Sequence, residues 1–178
     1  MLVALALSVV PVSNALAVPI DFEVFAQANS STGGVPLLTG LVLAPGDHLV
    51  ISAALDDCWT AGPADRTTNA DGLVGNTTNP CRPSAPNNYG LHTQFGVSFP
   101  FAALVGQIGA GTHFLIGTSY DAFVSGSGML TLKFWDSNNF DNSGSVIATV
   151  DIVPEPASML LLGTGLAGVV ARRRRRKE

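Results

Sequence analysis

The sequence predicts an all-β fold: a single antiparallel β-sandwich of jelly-roll type over residues 18–153, followed by one C-terminal apolar helix. Three observations predict it. Apolar residues alternate with period two in three segments, the runs are punctuated by Gly, Pro and Asn, and no stretch of the body sustains a 3.6-residue amphipathic period. Several short strands separated by turn residues are the signature of a two-layer antiparallel domain.

From Met1 to Ala17 the chain reads MLVALALSVVPVSNALA. An apolar run that closes on the small residues Ala15 and Ala17 has the order of a secretory signal, so removal by signal peptidase after Ala17 is expected. The run is too short to span a membrane, which takes roughly 20 apolar residues. No Lys or Arg precedes it, the pattern expected where the natural start lies upstream.

In the body, Leu49, Ile51 and Ala53 alternate with Val50, Ser52 and Ala54, and Leu130, Leu132 and Phe134 with Thr131, Lys133 and Trp135. Val146, Ala148, Val150 and Ile152 form the third alternating run. Shorter runs at Phe22–Phe25, Leu37–Leu43, Ala102–Ile108 and His113–Ile116 bring the expected number of strands to about seven. Ala44-Pro45-Gly46-Asp47 is a turn between two of them. Leu55 to Phe99 reads as a long connection rich in Asn, Thr, Pro and Gly, well beyond the roughly 12 to 15 residues usual for an unstructured loop. It holds the chain's two cysteines, Cys58 and Cys81. An exported chain invites a disulfide between them; the alternative is a pair of thiols exposed to oxidation.

Charge divides the chain more sharply than hydropathy does. Of nine basic residues, Arg172 to Lys177 supply six, leaving the body with Arg66, Arg82 and Lys133 against eleven acidic residues, a net −8. Such an acidic body disfavours nucleic-acid binding, since the one basic cluster lies in the terminal tail. Motifs of hydrolases, phosphate loops and zinc peptidases are absent, and His48, His92 and His113 form no sequence-local metal pair. A non-enzymatic protein is expected.

One loop concentrates oxygen donors. Asp136, Asn138, Asn139, Asp141 and Asn142 lie between two strands in FWDSNNFDNSGSVIATV, a composition suited to Ca²⁺, which takes six to eight oxygens. It is not an EF-hand, because Phe140 holds the fifth position and Ile147 the twelfth. On composition alone it reads first as a polar hairpin tip, Asn, Asp and Gly being ordinary turn residues.

The C-terminus sets Val153, Pro154, Glu155 and Pro156 before an apolar stretch, 157–171, and then the arginine run. Fifteen helical residues reach about 23 Å, and flanking basic side chains can snorkel, so a transmembrane helix with the body on the non-cytoplasmic side is expected. This ending resembles the PEP-CTERM sorting signal of Gram-negative, biofilm-forming bacteria. The resemblance implies recognition by an exosortase, a membrane transpeptidase-like enzyme, with cleavage near Pro154-Glu155-Pro156. A transient inner-membrane intermediate would then be followed by delivery to the cell surface or extracellular matrix.

A second resemblance covers most of the body. LAPGDHLVISAA (residues 43–54), Asp71-Gly72-Leu73, ALVGQIG (residues 103–109), and Asp136 followed by Asp141-Asn142-Ser143-Gly144-Ser145 are similar to stretches of the calcium-dependent, galactose-binding bacterial lectins of the PA-IL type, a β-sandwich family. The resemblance implies calcium held by Asp136, Asp141 and Asn142, by a backbone carbonyl between Asn138 and Phe140, assigned to Asn139, and by another near Ala61. The ion would in turn bind vicinal hydroxyls of a galactoside or other extracellular polysaccharide, with Asp71, Asp136 and Asp141 on the sugar side. Thr68-Asn69 stands where that family has a sugar-contacting His-Pro pair. The expected function is an exported, exosortase-processed surface or matrix protein that binds calcium and carbohydrate. The alternative is a purely structural matrix or adhesive component.

Overall fold

The computed structural model describes residues 18–75, 79–81 and 88–153; both terminal signals, including the expected helix over 157–171, lie outside these. Twelve strands follow in chain order: β1 (Ile20–Phe25), β2 (Leu37–Leu43), β3 (His48–Ala53), β4 (Trp59–Ala61), β5 (Thr67–Thr68), β6 (Leu91–Gln94), β7 (Val97–Pro100), β8 (Ala103–Ile108), β9 (Phe114–Leu115), β10 (Ser119–Phe123), β11 (Gly128–Trp135) and β12 (Asn142–Val153). The only helical element among the described residues is a 3₁₀ turn, Ala64–Arg66. None of the described helices is long and apolar enough to cross a membrane.

Two sheets enclose the core. One runs β10-β3-β12-β4-β5 with β1 also on β12, and the other β2-β11-β8-β9; β6 and β7 form a separate hairpin. The strand pairs are antiparallel. Strand β12 organises the first sheet: Asn142–Gly144 pair with β4, Ser145–Val150 with β1, and Ala148–Val153 with β3.

The predicted alternation is what buries the core. Leu49, Ile51, Val146, Ala148 and Val150 from one sheet meet Leu104, Leu130, Leu132 and Phe134 from the other. Trp59 closes one end, edge-on to Phe134 with ring centroids 4.7 Å apart. On β11 the opposite face, Lys133 and Trp135, is buried as well, because the β6–β7 hairpin lays Val97 and Phe99 over Ala103, Val105 and Trp135 as a second apolar cluster.

That hairpin corrects the expectation of a long connection. Residues 55–99 carry four strands, β4 to β7, each only two to four residues long. The run at His113–Ile116 shortens to the two-residue β9, and β10 is an additional edge strand on β3. The turn at 44–47 is present, with the Asp47 N–H donating to the Ala44 carbonyl at 3.2 Å. It crosses from one sheet to the other, since β2 and β3 belong to different sheets. Cys58 and Cys81 form a disulfide across 23 positions, a closure that contributes on the order of 3 kcal/mol by restricting the unfolded chain.

Candidate functional site

The loop from Asp136 to Asp141 carries the chain from β11 in one sheet to β12 in the other. Its start is pinned by the β1–β2 connection: the Ser31 hydroxyl donates to the Asp136 carbonyl at 3.0 Å and accepts the Asp136 N–H, also at 3.0 Å. Ser30 Oγ donates to the Asn138 carbonyl at 3.1 Å, and Asn142 Nδ2 donates to the same carbonyl at 3.0 Å. Donors are thus spent largely on the loop's backbone; of the Asp136 carboxylate, Oδ1 accepts the Ser137 N–H at 2.7 Å and Oδ2 has no donor.

Asp136 is 3% exposed and Asn142 4%. Among the described residues seven buried side-chain N or O atoms lack a hydrogen-bond partner, and four belong to this loop: Asp136 Oδ2, Asn138 Oδ1, Asp141 Oδ1 and Asn142 Oδ1. Unpartnered buried acceptors carry a desolvation cost of roughly 1 to 3 kcal/mol each, more when charged. Burial pushes the Asp136 carboxyl above its ordinary range; the Ser137 N–H and the Asn142 side chain pull it down, the Asp141 charge raises it further, and His92 lowers it. Two carboxylates and two amides each keep one buried oxygen without a donor, and among the described residues neither carboxylate forms an ion pair.

The residues expected to hold calcium divide accordingly. Asp136, Asp141 and Asn142 come together, and Ala61 lies directly opposite Asn142 in the β4–β12 register. The Asn139 side chain turns elsewhere: a Cβ at Gly33 would stand 2.8 Å from its Oδ1. The Asn139 carbonyl receives only a long bond from the Asn142 N–H, at 3.4 Å. Asn138, in the same loop, has a buried side-chain oxygen without a donor. Among the described residues no three His, Cys, Asp or Glu side chains cluster, so the donor set is oxygen from two acids, amides and backbone. That set fits a hard cation such as Ca²⁺.

Gly62 allows this packing. Its φ is +104°, and a Cβ there would lie 2.6 Å from Asp141 Oδ2. Only glycine combines that backbone conformation with that approach.

A cavity of about 180 Å³ opens beside the cluster, lined by Ala61, Arg66, Leu73, Tyr89, Phe101, Asp136 and Ser137. The bridge between Val74 and Asn88 brings Tyr89 to it, and Tyr89 Oη donates to Asp65 Oδ2 at 2.8 Å. Arg66, Tyr89 and Phe101 were not singled out from sequence as site residues. The available signal was Arg66 itself, one of only three basic residues in the body.

Asp71 is placed differently. Its Oδ1 accepts from the Thr118 N–H at 2.7 Å and from Thr118 Oγ1 at 2.8 Å, and it is absent from the described lining of the cavity. Thr68 and Asn69 are buried in a network in which Asn79 Nδ2 donates to Thr68 Oγ1 at 2.9 Å and to Asn69 Oδ1 at 3.0 Å. These side chains fix the segment that carries Cys81, whose N–H donates to Asn79 Oδ1.

Comparison with known proteins gives two similarities. Residues 153–176 match the family model of the PEP-CTERM protein-sorting motif, so the chain carries that motif, with Val153, Pro154, Glu155 and Pro156 inside the matched span. Among solved structures it is similar to a chain described as the EclA N-terminal domain, a PllA-like lectin, at 22% identity over 75% of this chain and 97% of that one, with a TM-score of 0.49. No curated protein matches.

Proposed function

We propose that this is an exported, exosortase-processed protein of the cell surface or extracellular matrix, without enzymatic activity, whose sandwich binds Ca²⁺ and through it carbohydrate. The observation that carries the calcium reading is the set of four buried, donorless oxygens on Asp136, Asn138, Asp141 and Asn142. A hydrogen-bonded hairpin tip would have turned such atoms to water or to N–H groups. Asp136, Asp141 and Asn142, with backbone oxygen from Asn139 and near Ala61, would hold the ion. Its chemistry there is to neutralise the two acids and to offer open coordination positions to sugar hydroxyls. The adjoining cavity supports a sugar on the scale of one ring, being smaller than the roughly 300–1,000 Å³ typical of drug-sized ligands.

Calcium at about a hundred times its Kd should raise stability by about 2.7 kcal/mol, a Tm increase of about 10 °C for a domain of this size. Asp136→Asn should abolish that increase. In chelator the variant should melt at or above the wild-type temperature, because the substitution removes a buried, unpaired charge. Identical wild-type melting curves in calcium and chelator would refute the reading.

The sorting half rests on the PEP-CTERM motif at 153–176. Intact-mass analysis of the protein released by its native host should show a chain beginning at Val18 and lacking 157–178. A mass that retains those residues would contradict processing.

A further inference from the structure

Arg66 is the feature of the cavity that calcium binding leaves unexplained. Its guanidinium carbon sits 5.3 Å from the Tyr89 ring centroid, and the side chain lines the cavity together with Asp136. Among the described residues the one ion pair is His48–Asp121, so Arg66 reaches the cavity without a carboxylate partner. Its neighbour Asp65 accepts the Tyr89 hydroxyl instead. Asp141 lies near it at Gly62: the point where a Gly62 Cβ would stand is 2.6 Å from Asp141 Oδ2 and 3.8 Å from Arg66 Nη1. The acid pole and the cation are therefore neighbours that do not pair.

The charge balance then favours an anion. A divalent ion held by Asp136 and Asp141 is neutralised by them, Asp65 is turned to the Tyr89 hydroxyl outside the cavity lining, and the guanidinium is the positive group that lines the cavity. Of the two basic residues among the described ones, Lys133 is buried against His113, whereas Arg66 stands at the proposed ligand site. A planar guanidinium fork is suited to a carboxylate or sulfate, which it can hold through two parallel hydrogen bonds.

We propose that the cavity takes an acidic sugar residue, one whose hydroxyls face the cation site of Asp136, Asp141 and Asn142 while its carboxylate or sulfate is held by Arg66. Phe101 and the Tyr89 ring supply apolar surface for the sugar face. This specificity rests on the calcium-lectin reading above.

The test is isothermal titration of the full chain, first with calcium alone and then, in saturating calcium, with galacturonic acid, galactose 6-sulfate and galactose. Wild type should bind an acidic sugar at least about tenfold more tightly than galactose, the scale of one charge-assisted contact. The arm that binds identifies whether the anion is carboxylate or sulfate. Arg66→Gln should erase the margin, and Arg66→Lys should restore part of it, with calcium binding retained in both. Equal binding of the three sugars by wild type, no binding of any of them, or an undiminished margin in Arg66→Gln would overturn the inference while leaving calcium binding intact. Absence of calcium binding in the first titration would overturn both readings together.

Discussion

Lys133 near the end of β11 and Asp136 just beyond it show two ways of burying polar groups. At Lys133 on β11 a cation is 7% exposed, yet its Nζ lies 2.6 Å from His113 Nε2, 3.4 Å from Gln107 Oε1 and 5.0 Å from the centroid of the Phe95 ring. Three residues later, Asp136 is 3% exposed and keeps a carboxylate oxygen without any donor. The first cluster is closed: its ammonium has an acceptor in a neutral imidazole and a π-face above it. The second is open: four of its side-chain oxygens have no donor. Burial alone therefore does not mark a functional group here; a concentration of buried oxygens without partners does.

The comparison can be broken most strongly with acid. Burial, and then the Lys133 charge, hold His113 at about 4, below its usual 6.5. A proton therefore binds the unfolded chain before the folded one. The stability conferred by neutral His113 is fully present above pH 6.5 and is lost as pH falls toward 4. The groups facing this ring are Lys133 from β11, Gln107 from β8 through Lys133, and the stacked Phe95 of the β6–β7 turn with Trp135; no carboxylate among the described residues offsets the second positive charge. The loss should reach at most about 3 kcal/mol by pH 4, and less to the extent that the hairpin opens locally and hydrates the ring. Urea denaturation at several pH values, in the Asp136→Asn background so that the loop acid is silent, should show this slope, and His113→Gln should flatten it. Equal slopes with and without His113 would show that the closed cluster is not sealed.

How far each region was legible in the sequence follows from its neighbours. The alternation of Leu49, Ile51 and Ala53 and of Val146, Ala148 and Val150 is visible because one face of each strand meets the core and the other meets water or a polar layer. On β11 the period-two pattern holds through Phe134, but Lys133 and Trp135 read as an outward face, and only the overlying hairpin buries them. That hairpin was hidden because its turn, Phe95-Gly96, places a phenylalanine at φ +52°, where Asn, Asp or Gly is the usual signal. Stacking of Phe95 on His113 at 4.8 Å stabilises the conformation, and no local pattern announces it. At the candidate site the oxygen-rich loop could be read directly, while Arg66, Tyr89 and Phe101 come from distant segments joined by pairings such as Val74 with Asn88. That the Asn139 amide packs against Gly33 while the Asn138 oxygen is left buried without a donor is set by a distant turn that spacing within the loop does not encode.

The smallest effect is expected from Lys133→Met, and it separates a sealed cluster from a ligand site most finely. Methionine keeps the unbranched stem that packs between Phe95 and Gln107 and removes an ammonium whose own pKa is lowered by burial. Replacing a buried charge with an apolar side chain of similar length trades a lost polar contact for a removed desolvation cost, so stability at pH 7 should change by no more than about 1 kcal/mol in either direction. The imidazole should report the change instead. Without the neighbouring cation, His113 should titrate at higher pH, yet still below 6.5, because burial is the larger cause of its depression. Following the His113 ring signals by NMR across pH checks both parts. An unmoved titration would mean that the ammonium is screened from the ring, and a destabilisation of about 3 kcal/mol or more would mean that Lys133 holds the hairpin through contacts methionine cannot replace. Either result would erase the contrast with Asp136, where loss of charge is expected to leave the fold standing and remove only the response to calcium.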